Sequence, residues 1–234
     1  MTNSSKDSWG ERRVSMEQEI QVASFLPRSK ANGPGKRATL WLQGCGKRCE
    51  RCCNPEFQSL RGGKPVPVSE VAGWIADAVE EHDIRGLSLS GGDPLYDRNQ
   101  TPVKDLLNWV RRHLEIDILM FTGYTVREMF RRTDVSHIVD LCDLVIAGPY
   151  DHTRPLERGL ASSENQTIVR MHPNAFPDVS WVELYDGDRI IEFIIEGDRT
   201  IISGLMGREE ALALVDGTDV GGILLPSGAQ QPQS

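Results

Sequence analysis

The chain has 234 residues, enough for one ordinary domain with a modest appendage and a real buried core. Its 26 Lys and Arg against 34 Asp and Glu give a formal charge of −8, which argues against broad, nonspecific binding to nucleic acid or to an anionic membrane. No apolar run approaches the ~20 residues that span a bilayer, and the polar stretch from Met1 to Gln21 has no apolar signal core, so a cytoplasmic chain is expected.

Residues 1–18, rich in Ser, Asn, Lys and Glu, read as a disordered tail. Asn32-Gly33-Pro34-Gly35 is a turn cluster before the first strand, Ala38 to Gln43, and a cysteine loop follows that strand directly. Gly62-Gly63-Lys64-Pro65 breaks the chain again. From Ser69 to about His82, the positions Val71, Trp74, Ile75, Ala78 and Val79 paint one apolar face of a helix. A strand from Gly86 to Ser90 runs into Gly91-Gly92-Asp93-Pro94. The next helix takes Thr101 as its N-cap and Pro102 in its first turn, with Val103, Leu106, Leu107, Val110 and Leu114 as its stripe.

Ile116 to Phe121 has strand length and ends at Thr122-Gly123-Tyr124. Thr125 and Glu128 then fit a capping box that opens a short helix through Met129 and Phe130. Leu144 to Ala147 is another strand, ending at Gly148-Pro149, and Gln166 to Val169 a further one. Strands that alternate with helices imply parallel βαβ units, in which ligands gather at the carboxyl ends of the strands. Those ends carry Cys45, Gly91-Gly92-Asp93, Thr122-Gly123 and Gly148, so the unusual residues fall on one rim.

Past that point the chain changes character. Trp181 to Tyr185, an Asp-Gly turn and Ile190 to Ile195 read as a hairpin, and Gly197-Asp198 turns into Thr200 to Ser203. The expectation is a three-stranded antiparallel meander, then a short helix near Arg208 to Val215. The organisation expected is a tail at 1–18, an α/β core at 19–178, a C-terminal β meander with a short helix at 179–225, and a flexible tail at 226–234.

Four of the five cysteines, Cys45, Cys49, Cys52 and Cys53, fall within nine positions. In a reducing compartment such a cluster, in an odd total, points to metal or redox chemistry over structural disulfides. Structural zinc takes four Cys or His ligands, but Cys53 adjoins Cys52 and none of the five histidines lies in the loop. A redox pair needs fewer thiols. An iron–sulfur cluster held by three thiolates at C-x3-C-x2-C spacing fits better, and it leaves one iron open to bind something else.

C-x3-C-x2-C after a strand resembles the signature of the radical S-adenosylmethionine (SAM) enzymes, carried here by Cys45, Cys49 and Cys52. Gly33-Pro34-Gly35, Leu42-Gln43-Gly44-Cys45 and Asn54-Pro55-Glu56 resemble one branch, the activating enzymes of anaerobic ribonucleotide reductase. Ser90-Gly91-Gly92-Asp93-Pro94-Leu95 is similar to the motif whose backbone holds the methionyl group of SAM, with Asp93 where Glu is often found. Thr122-Gly123-Tyr124-Thr125 and Ser162-Ser163-Glu164-Asn165-Gln166 resemble two further segments of that branch. The ordered matches cover about residues 32–170.

The resemblance implies a partial (βα) barrel with a small C-terminal antiparallel β appendage. It implies one [4Fe-4S] cluster on three cysteines, with SAM chelated at the open iron and cleaved reductively to a 5′-deoxyadenosyl radical. Ser90, Gly91, Gly92, Asp93, Thr122 and Asn165 would line the SAM site, and Arg51 and Cys53 would lie towards the adenine. Blander readings stand beside these: a solvent-facing Arg51, a packed Cys53 thiol, an Asn165 that only satisfies its own loop. Cys142 reads as core. The expected role is generation of a glycyl radical on a partner such as anaerobic ribonucleotide reductase, with a flavodoxin- or ferredoxin-like electron donor. Radical SAM modification of a peptide or small molecule is the nearest alternative, and a non-catalytic metal-binding or redox-sensing module a remoter one.

Overall fold

The computed structural model describes residues 16–172, 176–196, 199–204 and 223–224. The expected tail at 226–234, the turn at 197–198 and the helix near 208–215 lie outside the described residues, as does most of the N-terminal tail. A seven-stranded sheet runs in the order β3-β1-β2-β4-β5-β6-β7. Its strands are β1 (Glu19–Ser29), β2 (Arg37–Leu42), β3 (Lys64–Pro67), β4 (Gly86–Gly91), β5 (Asp117–Thr122), β6 (Leu144–Ala147) and β7 (Thr167–Arg170).

Strands β2, β4, β5 and β6 are parallel and in register, with Leu42 opposite Gly91 and Thr122 opposite Ala147. Their carboxyl ends therefore share one edge, as the alternation of strands and helices implied. The outer strands depart from it: β1 and β3 pair antiparallel on one side, and β7 pairs antiparallel with β6. Strand β1 escapes sequence reading because irregularities between Val22 and Ser24 and between Leu26 and Ser29 break its two-residue period.

Helices α1 (Val68–His82) and α2 (Asp97–His113) cover one face of the sheet. There Ile75, Leu106, Leu107 and Val110 bury against Leu40, Leu87, Leu89, Ile118 and Val145. Helix α2 starts at Asp97 rather than at Thr101, so Pro102 lies inside it and forgoes one helical hydrogen bond. Helices α3 (Val126–Arg131) and α4 (Thr133–Val139) follow β5, and Thr125 and Glu128 form the expected capping box.

The other face of the sheet carries Leu119, Leu144, Ile146 and Ile168, which pack on Phe176 and Leu184. Leu184 belongs to α5 (Trp181–Asp186), capped reciprocally by Ser180 and Glu183. This corrects the hairpin expected from Trp181 to Tyr185: the local Ser-x-x-Glu box outweighs the strand propensity of the aromatic residues. β8 (Ile191–Glu196) and β9 (Arg199–Gly204) are antiparallel, but β10 (Ile223–Leu224) runs parallel to β9, so the appendage is not a simple meander.

At the foot of the sheet, away from the cysteine rim, Arg37 is fully buried. Its guanidinium pairs with Asp117 and donates to Ser88 Oγ at 2.8 Å and to the Leu87 carbonyl at 3.0 Å. The Phe176 ring centroid lies 5.2 Å from it.

Candidate iron–sulfur and cofactor site

The cysteine loop leaves β2 at Gln43 and returns through a short 3-10 turn, Pro55–Gln58. Gly44 N donates to the Phe57 carbonyl at 2.8 Å and Cys45 N to the Gln58 carbonyl at 3.2 Å, which closes the loop at its neck. The Gln43 side-chain amide donates to the carbonyls of Glu56 (3.0 Å) and Ser59 (2.8 Å), reinforcing that neck. Within the loop Arg48 and Arg51 adopt left-handed backbone, with φ of 49° and 52°. Such conformations are uncommon for side-chain-bearing residues and curl the segment tightly.

Cys45 is buried, Cys49 and Cys52 are half-buried, and Cys53 is exposed. Burial pushes the Cys45 and Cys49 thiols up; the Tyr150 backbone N–H, from the end of β6, acts against it at Cys49. Cys49 also acts electrostatically to raise Cys45, and Cys52 to raise Cys49. A hydrogen bond with Cys53 draws the Cys52 thiol down to about 6, and the same bond holds Cys53 protonated. Among the described residues no three His, Cys, Asp or Glu crowd closely enough for a single metal ion. A cubane cluster would take each thiolate at a different iron and needs no such single point. Cys142 is fully buried, and burial raises its thiol far out of reactive range.

The glycine loop at the end of β4 lies directly against this neck. Gly92 N donates to the Leu42 carbonyl at 2.7 Å and Asp93 N to the Gly44 carbonyl at 2.9 Å. A Cβ on Gly91, whose φ is 103°, would strike the backbone of Trp41 and Leu42. One on Gly92 would strike the Gly44 backbone and come within 2.6 Å of the Phe57 carbonyl. The absence of side chains here admits the protein's own main chain, a reason different from the ligand approach that the sequence motif suggested.

Asp93 is buried, and its carboxylate is already engaged within the protein. Oδ1 accepts from Leu95 N (2.9 Å) and Thr122 Oγ1 (2.8 Å), and Oδ2 accepts from Gly123 N (3.0 Å). Burial pushes its pKa up to about 6, while those donors act the other way. Asp93 and Thr122 therefore join the second and third rim loops. Ser90 is half-buried at the strand end. Asn165 donates to the Pro149 carbonyl at 2.7 Å, and its Oδ1 is buried without a partner among the described residues, an acceptor left open beside β6. Arg51 is exposed.

Sequence reasoning missed two ties that knit the rim. Lys47 reaches from between the first two cysteines to Glu128 at 2.7 Å and lies 4.6 Å from the Tyr124 ring centroid. The hydrogen bond from Lys47 draws the Glu128 carboxylate down to about 2, helped by Thr125. Asn99, in the first turn of α2, donates to the carbonyls of Gln43 (3.2 Å) and Asp93 (2.9 Å). No local spacing connects Lys47 with Glu128 or Asn99 with Gln43; only the fold does.

Residues 31–169 match a protein family described as the 4Fe-4S single cluster domain. The chain belongs to that family, and the resemblance of its cysteine loop to the radical SAM enzymes holds. Among curated proteins, it is similar to the anaerobic ribonucleoside-triphosphate reductase-activating protein of Enterobacteria phage T4. The two are 32% identical over 145 residues, which is 62% of this chain and 90% of that protein. The protein of that name from Salmonella typhimurium is 36% identical over 136 residues, 56% of this chain and 85% of its own. Of solved structures, QueE from Escherichia coli overlaps 60% of this chain with a TM-score of 0.39 and 10% identity, too slight a likeness to argue from. Within the radical SAM superfamily, then, the chain is an oxidoreductase of the activating-enzyme type. The segment beyond residue 169 lies outside the family match. Among the described residues, no helix is long and apolar enough to cross a membrane.

Proposed function

We propose that this chain binds one [4Fe-4S] cluster through Cys45, Cys49 and Cys52, holds SAM beside it, and generates a glycyl radical on an anaerobic ribonucleotide reductase. The observation that carries the reading is the seam that lays the glycine loop against the neck of the cysteine loop, through Gly92 N to the Leu42 carbonyl and Asp93 N to the Gly44 carbonyl. The names borne by the curated relatives supply the partner. When bound, the reduced cluster and SAM supply reductive cleavage of a sulfonium C–S bond and a radical that takes a hydrogen atom.

The chain's own residues supply placement. The neck bonds of Gly44 and Cys45 fix the first ligand, and the tie between Tyr150 N–H and Cys49 brings the end of β6 against the second. Cys53 draws the Cys52 thiol down, towards the thiolate that iron ligation takes. The edge formed by Ser90, Gly91 and Gly92 borders SAM, and the open Oδ1 of Asn165 is suited to receive one of its donors. Asp93 and Thr122 act by holding the rim loops together. Arg51, exposed beside Cys52, is left to contact the adenine end.

We further read the parallel strands as a partial barrel and residues 19–178 as the catalytic core. A cytoplasmic setting with a flavodoxin- or ferredoxin-like donor suits an oxygen-sensitive cluster. The test is to incubate the reconstituted protein anaerobically with reductant, SAM and an anaerobic ribonucleotide reductase. A glycyl radical signal should appear in electron paramagnetic resonance. A reductase that stays silent with active cluster and intact SAM would remove this partner.

A further inference from the structure

The geometry points to Asn99 as a positioning residue that sets the spacing between the cysteine loop and the glycine loop. The inference rests on the proposed function only in taking these as the two cofactor loops. Asn99 is fully buried under the rim, and one atom, Nδ2, donates to both the Gln43 carbonyl at 3.2 Å and the Asp93 carbonyl at 2.9 Å. Two carbonyl acceptors on one atom require it to be the nitrogen, so the amide orientation is fixed by chemistry. Gln43 stands two residues before Cys45, and Asp93 follows the glycine pair directly. A single side chain therefore clasps the stem of each loop.

The remaining atom supports the assignment. Asn99 Oδ1 is buried without a partner among the described residues. A half-satisfied amide in a core costs stability, and a leucine of similar size at that position would not incur it. Packing alone does not account for an amide at that position; the two carbonyls it holds do. The backbone bonds from Gly92 to Leu42 and from Asp93 to Gly44 form a seam between the loops, and Asn99 closes that seam from the α2 side. If the seam opens by a fraction of an ångström, the cluster moves relative to the edge that borders SAM, and positioning errors of about 1 Å can cost about 10²-fold in rate.

Hydrogen exchange of the apoprotein tests this without reference to activity. In Asn99→Leu and Asn99→Asp the amides of Gly44, Cys45, Gly92 and Asp93 should exchange about 30-fold faster, the effect of losing two buried hydrogen bonds. The amides of α1 and β6 should stay at wild-type rates. After reconstitution, the change that SAM induces in the resonance signal of the reduced cluster should shrink in both variants. Unchanged exchange, or acceleration confined to α2 or to one loop, would overturn the assignment. Should Asn99→Leu not fold, Asn99→Ser keeps one donor on a shorter arm. It should accelerate the same four amides to a lesser degree, and wild-type rates there would also overturn the assignment. A wild-type protein that binds no cluster would refute the cofactor reading, while the exchange result would still decide the role of Asn99.

Discussion

Replacing Gly92 by alanine adds one methyl group at the seam between the glycine loop and the cysteine loop. That methyl would collide with the Gly44 backbone and lie 2.6 Å from the Phe57 carbonyl, and neither neighbour is a flexible side-chain end that can swing aside. Both also belong to the neck of the cysteine loop, where Gly44 N bonds the Phe57 carbonyl at 2.8 Å. Overpacking of this kind costs about 1–3 kcal/mol. For a domain of this size each kcal/mol moves the melting temperature by about 2–4 °C, so a fall of about 2–12 °C is expected. Gly73, inside α1, has nothing within 4 Å of its would-be Cβ. Gly73→Ala should instead raise the melting temperature slightly, by about 0.5–1 kcal/mol of helix stabilisation. Calorimetry on both apoproteins, followed by iron and sulfide counts after reconstitution, separates the two. A Gly92→Ala protein that melts with the wild type and loads a full cluster would refute the claim that these glycines admit the neighbouring main chain.

Other outcomes follow from the same geometry. Asp117→Asn removes the charge partner of the fully buried Arg37 and should cost about 3–5 kcal/mol in urea unfolding, because it strands a charge in the core. Asp93 has a folded pKa of about 6, above its unfolded value, so its contribution is full below about pH 4 and is lost as pH rises through about 6. Asp93→Asn should flatten that part of the stability profile, and an unchanged slope would mean another group titrates there. Glu128 is depressed to about 2, so its contribution is present above about pH 4 and fades as pH falls towards 2. The carboxylate is partly exposed, so the ion pair contributes below about 1 kcal/mol, and Lys47→Met should reveal it only at low salt.

Much of this molecule can be read from local chemistry. The helix stripe from Val71 to Val79, the Thr125–Glu128 box and the strand from Leu144 depend on neighbours within a few positions, and each stands as expected. The C-x3-C-x2-C spacing is equally local, and the match of residues 31–169 to a 4Fe-4S single cluster domain agrees with the cluster it points to. What escaped depends on distance or competition. Irregular pairing hides β1, and a capping box overrides the strand propensity of Trp181 to Tyr185. The reason for Gly91 and Gly92 is legible only once β4 lies against the cysteine neck. Asn99 carries no signature at all; it gains its meaning from two carbonyls 56 and 6 residues away.

The central claim is that three cysteines hold a cluster which works with SAM. Anaerobic reconstitution followed by reductant and SAM should release 5′-deoxyadenosine from the wild type, and Cys45→Ala, Cys49→Ala or Cys52→Ala should each abolish it, while Cys53→Ser keeps the cluster. Undiminished release from the Cys49→Ala protein would contradict the account.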